Sequence, residues 1–85
     1  MNLKYFKTEE ASLNASFIFC DFRTAFVFMT EVAFVAETLN HHPDWSNSYN
    51  KVIFRIRTHD AGNRLTEKDF MLAEKIEKIA EKYLP

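Results

Sequence analysis

Residues 22–40 read FRTAFVFMTEVAFVAETLN, and no other stretch limits the fold so tightly. Phe22, Ala25, Phe26, Met29, Val32, Ala33 and Ala36 recur at helical spacing and predict a core-facing stripe, with Asp21 as the N-cap residue ahead of it. Val27, Phe28, Phe34 and Val35 form a second apolar set roughly opposite, where a surface helix of a monomer would be polar. A helix apolar on two sides needs cover on two sides, and a chain of 85 residues can supply only one. The expectation is a homodimer or homotetramer joined through helix 22–39.

The rest of the chain supplies one sheet and one more helix. LKYFK and SFIFC read as two strands joined by a polar turn, TEEASLN, with Phe17 and Phe19 on one face. After Pro43, DWSNSY and NKVIFRIRT read as two more strands, the second alternating Val52, Phe54 and Ile56 inward with Ile53, Arg55 and Arg57 outward. DAGNRL is a loop. TEKDFMLAEKIEKIAEKYL is an amphipathic helix with Leu72, Ala73, Ile76, Ile79, Ala80 and Tyr83 on one face, and Thr66 and Asp69 stand at capping-box spacing. The expected order is strand, strand, helix, strand, strand, helix. This predicts an α+β domain spanning residues 1–85, with a four-stranded antiparallel sheet covered on one face by helices.

Composition excludes several classes of function. A formal net charge of −1 and a pI near 6.3 offer no basic footprint for a phosphate backbone, so direct nucleic-acid binding is not expected. The longest apolar run, AFVFMTEVAFVA, is broken by Thr30 and Glu31 and is too short to span a membrane. The single cysteine, Cys20, cannot form an internal disulfide, and MNLKYFKTEE lacks the apolar core of a secretion signal, so a cytoplasmic setting is expected.

The chemistry-bearing residues are the histidines. His41 and His42 follow the end of the first helix, where Pro43 stops it and pushes His42 toward extended backbone; His59 closes the fourth strand. Imidazole exchanges protons near neutrality, and three converging rings would suit acid–base work on a flat ligand, with Trp45 and Tyr49 as walls. Each has a plainer reading beside it. A histidine past a helix end can serve only the helix dipole, Asp69 can serve only as a cap, and Glu37 can be only surface charge. Zinc ligation by three histidines with Glu37, Asp60 or Asp69 is the competing site chemistry, but no helical H-x-x-x-H pair or cysteine cluster is present, and no metal is expected.

Glu37, the HHP at 41–43, Tyr49, His59 and Asp69, in that order and spacing, resemble the signature of the pterin-4a-carbinolamine dehydratases, and the similarity runs from about residue 16 to residue 80. The resemblance implies a lyase that dehydrates 4a-hydroxytetrahydropterin to quinonoid dihydropterin and water, in the recycling of tetrahydrobiopterin, without metal or organic cofactor. By position it makes His41, His42 and His59 the catalytic set. His41, His42, Pro43, Arg57, Thr58, His59 and Asp60 would contact the pterin, and Glu37, Trp45 and Asp69 would support them. The same family includes an animal member that acts as a transcriptional coactivator by binding a partner's dimerisation helix, so a non-catalytic interaction module is the alternative. Two departures stand out: family members usually carry a helical segment with a Gly-Trp pair ahead of the first strand, and the loop HDAGNRLT is one residue longer than the family's usual spacing.

Overall fold

The computed structural model describes residues 3–58, 62 and 64–85. Its elements are β1 (Lys7–Glu9), β2 (Ser12–Ile18), α1 (Phe22–Leu39), β3 (Asp44–Ser48), β4 (Lys51–Ile56) and α2 (Glu67–Tyr83), the order expected from the sequence. All strand pairings are antiparallel, and the sheet runs β1-β2-β4-β3.

Alternation puts Leu13, Ala15 and Phe17 of β2 and Val52, Phe54 and Ile56 of β4 on the helix-covered face. Register pairs Leu13 with Ile56, Ala15 with Phe54 and Phe17 with Val52, so the two central strands form one apolar floor. Phe17 lies against Phe6, Phe28 and Phe54 at centroid separations of 6.1, 5.6 and 5.8 Å, the tilted and edge-on distances that aromatic rings favour. Leu72, Ala73, Ile76, Ile79 and Ala80 of α2 close the core as the periodicity predicts.

The first strand departs from expectation. Residues 3–6 lie outside the sheet, and β1 is confined to Lys7–Glu9. The reason is Glu77, a buried carboxylate of α2 that accepts the backbone N–H groups of Lys4, Tyr5 and Phe6 at 3.0, 2.6 and 2.9 Å. Those N–H groups are donors a strand would give to its neighbour. The chain then reverses at Glu10 and Ala11, both at positive φ (48° and 59°), a two-residue hairpin where a longer turn was expected.

Helix α1 begins as expected, with the Thr24 N–H donating to Asp21 Oδ1 at 2.8 Å. Its core stripe is instead Ala25, Phe28, Val32 and Ala36. Phe28, assigned by the sequence to the outer face, is fully buried, while Phe22 and Phe26 are 46% and 55% exposed. The helix is turned by roughly 50° from the expected orientation, at 100° per residue. The small residues Ala25 and Ala36 let its backbone approach the sheet, and Phe28 fills the space over Phe17 and Phe54. The outward face therefore carries Phe22, Phe26, Val27, Ala33 and Phe34, the last 72% exposed, interspersed with Arg23, Thr30 and Glu37. No helix among the described residues is long and apolar enough to cross a membrane.

Candidate functional site

Asn40 ends α1 in the left-handed region, at φ 52° and ψ 43°, a conformation asparagine tolerates better than most residues. The His41 N–H donates back to Ala36 O at 3.0 Å, and Asn40 likewise returns its N–H to the last turn, so backbone donors cap the carbonyls of Ala36 and Glu37. Buried Pro43 then bars any further helical turn. These constraints hold two consecutive histidines between a helix terminus and the start of β3.

The two rings have different surroundings. The His41 side chain is 12% exposed, and its Nε2 lies 2.6 Å from Oδ1 of Asp69, whose side chain is fully buried. His42 is 59% exposed, and its Nε2 lies 2.9 Å from Oε1 of Glu37, itself 80% exposed. Glu37, which the resemblance makes a support for the histidines, meets His42. The outer pair is a solvated contact of the kind that contributes about 0–1 kcal/mol, whereas the inner pair is shielded and its carboxylate depends on protein donors.

Those donors come from two further elements. Asp69 is the third residue of α2, and its Oδ2 accepts the Thr66 N–H at 2.7 Å while Thr66 receives the Asp69 N–H, the reciprocal capping box anticipated by spacing. Thr58 Oγ1, from just beyond β4, donates to the same Oδ2 at 2.7 Å, and its oxygen lies 2.7 Å from Thr66 Oγ1. An isolated antiparallel bridge, with the Thr58 N–H donating to Arg64 O at 3.2 Å, sets Arg64 against Thr58, and Thr66 two residues on lies beside it. Asp69 thus ties together the end of α1, the end of β4 and the start of α2.

Of the other residues anticipated for the site, Pro43 adjoins the histidines, and Arg57 follows β4, its Nε buried without a hydrogen-bond partner among the described residues. Trp45 lies on the helix-covered face, 5.4 Å from the ring of Phe54, and lines a groove with Phe26, Met29 and Phe34. Tyr49 occupies the turn at the far end of β3, at φ 51° and 64% exposed, roughly 16 Å of strand away from Asp44. It therefore forms no wall beside His41. His59 and Asp60 lie outside the described residues. Among the described residues no three His, Cys, Asp or Glu side chains are grouped to share an ion.

Sequence reasoning missed the hydroxyl of Thr66 and the inward role of Thr58. The capping-box spacing marked Thr66 as a helix start, but the contact with Thr58 depends on the bridge between Thr58 and Arg64, which no periodicity encodes.

The chain was compared with known proteins. A family profile described as "Pterin 4 alpha carbinolamine dehydratase" matches residues 3–79. A protein of Opitutus terrae, named provisionally as a pterin-4-alpha-carbinolamine dehydratase, is 47% identical over 78 residues, covering 92% of this chain and 80% of the relative. A protein of Rhizobium meliloti with the same provisional name is 53% identical over 74 residues, covering 87% and 70%. Among solved structures, a transcriptional coactivator/pterin dehydratase from Brucella melitensis superposes with a TM-score of 0.87 at 41% identity, covering 92% of this chain and 84% of that one. A pterin dehydratase-like protein described as a RuBisCO assembly factor of the alpha-carboxysome shares the fold alone, with a TM-score of 0.73 at 15% identity over 94% and 90% of the two chains.

Proposed function

This chain belongs to the pterin 4 alpha carbinolamine dehydratase family, and from that premise we propose that it dehydrates a 4a-hydroxytetrahydropterin to the quinonoid dihydropterin by histidine acid–base catalysis. The single observation that carries the reading is the buried His41–Asp69 pair: an imidazole held at 2.6 Å by a carboxylate of another element is an oriented acid–base group, not a surface histidine.

The reaction breaks the C4a–O bond and the N5–H bond and forms the C4a–N5 double bond, so it needs an acid at the departing hydroxyl and a base at N5. In our reading His41 gives the proton to the hydroxyl, His59 takes the proton from N5, and the exposed His42 holds the ring. Pro43, Arg57 and Asp60 contribute to the pterin contact. Glu37 orients His42 and Asp69 orients His41. The setting we propose is the cytoplasm, and the working species is a homodimer or homotetramer joined through α1. Support for that assembly is the outward exposure of Phe22, Phe26 and Phe34.

The same exposure favours one second reading, in which α1 receives a helix of another protein and the histidines are inherited scaffold. The Brucella relative, described as a transcriptional coactivator/pterin dehydratase, is consistent with either reading. Adding the purified protein to a phenylalanine hydroxylase reaction separates them. The dehydratase reading expects faster disappearance of the 4a-carbinolamine absorbance and loss of most of that effect in His41→Ala. No acceleration by the parent protein leaves the interaction module standing.

A further inference from the structure

The hydroxyls around Asp69 form an ordered series. Thr58 spends its single hydroxyl proton on Asp69 Oδ2 at 2.7 Å, so the 2.7 Å contact between the two hydroxyls is donated by Thr66 Oγ1, which also lies 3.4 Å from Oδ2. The Thr66 N–H donates to that oxygen as well, at 2.7 Å. Oδ2 is thereby supplied with donors, and among the described residues Oδ1 meets the ring of His41 alone. A carboxylate oriented in this way accepts from Nε2–H and cannot offer Nε2 a proton.

We propose that Thr58 and Thr66 are positioning residues, which hold Asp69 as an acceptor so that the neutral ring of His41 keeps its proton on Nε2 and exchanges protons with substrate through Nδ1. Nδ1 has no hydrogen bond to any described residue. The inference deepens the dehydratase reading and rests on it for the identity of the substrate. In the forward step a His41 ring protonated on both nitrogens gives its Nδ1 proton to the hydroxyl leaving C4a. It is left as the Nε2–H tautomer, and no proton passes to Asp69. Thr58, assigned by the family resemblance to pterin contact, acts here through Asp69 and His41.

The tautomer is read directly from the ¹⁵N chemical shifts of the His41 ring in the full chain, above the pH at which the ring is neutral. The parent protein is expected to show Nε2 protonated and Nδ1 bare. Thr58→Val is expected to shift that ring toward a mixture of tautomers and to lower kcat about 5- to 20-fold with KM within twofold, while Thr58→Ser restores both. A parent His41 protonated on Nδ1 overturns the proposal even if no variant folds. A Thr58→Val enzyme with raised KM and full kcat overturns it too, by returning Thr58 to direct substrate contact. If the parent has no dehydratase activity, the preceding reading fails, and the ring shifts of the parent and Thr58→Val alone decide the positioning role.

Discussion

His41 Nε2 lies 2.6 Å from Oδ1 of Asp69, a carboxylate with no exposure to solvent, while its neighbour His42 meets Glu37 in the open. The two pairs are similar in length and opposite in environment, so their removal should have unequal effects. Asp69→Asn keeps the shape of the side chain but can present an amide N–H to His41 Nε2, and is expected to lower kcat by about 10²-fold, within the range positioned acid–base groups contribute. Glu37→Gln is expected to change it by less than about threefold, as a solvated pair should. Single-turnover decay of the carbinolamine absorbance measures both, and equal losses would contradict the assignment.

The carboxylate of Glu77 holds three backbone N–H groups of segment 4–6. Glu77→Ala removes the acceptor of all three N–H groups and is expected to cost about 2–4 kcal/mol. In a domain of this size that corresponds to a fall in Tm of roughly 10 °C or more by circular dichroism. Limited proteolysis should find new cleavage within residues 3–7 of the variant. An unchanged cleavage pattern would mean that Leu3, Tyr5 and Phe6 hold the segment by packing alone.

The two sides of α1 should respond differently to charge. Phe34 is 72% exposed and Phe28 fully buried. Phe34→Asp is expected to leave the fold intact and to shift the protein to a smaller species in size-exclusion chromatography. Phe28→Asp is expected to unfold it, because a charge would enter the layer formed with Phe17 and Phe54. A parent that already elutes as a monomer would remove the proposed interface.

Two carboxylates give the acid side of stability. Hydrogen bonds from Lys82 and Tyr83 hold Glu31 below the usual glutamate range, and the Thr24 N–H does the same for Asp21. A depressed folded-state value means that the folded state prefers the ionised form. The stabilisation is therefore complete above the ordinary carboxylate value and is lost as pH falls through the depressed one. Denaturant titrations are expected to show a shallower acid-side decline in Glu31→Gln than in the parent, with the two converging at the lowest pH.

The strand alternation of Val52, Phe54 and Ile56, the α2 stripe, the Asp21 cap and the Thr66–Asp69 box were legible in the sequence because each is set by neighbours within a few positions. Two features were not. The rotation of α1 depends on how far Ala25 and Ala36 allow the helix to sink toward the sheet, a property of the surface opposite as much as of the helix. The loss of residues 3–6 from the sheet depends on Glu77, which in isolation is one more charge on an amphipathic helix. At the site, Asp69 was identified by spacing, but its partner among the histidines and its hydroxyl donors depend on the bridge between Thr58 and Arg64.

The contact between segment 4–6 and Glu77 spans 71 to 73 positions of chain. During synthesis, Phe6 therefore emerges long before the carboxylate that anchors its backbone, and the hydrophobic layer it completes stays open to water until α2 has left the ribosome. Attachment of the first residues is a late event in forming this fold, and an arrested chain ending before residue 77 would present that opening to any chaperone within reach.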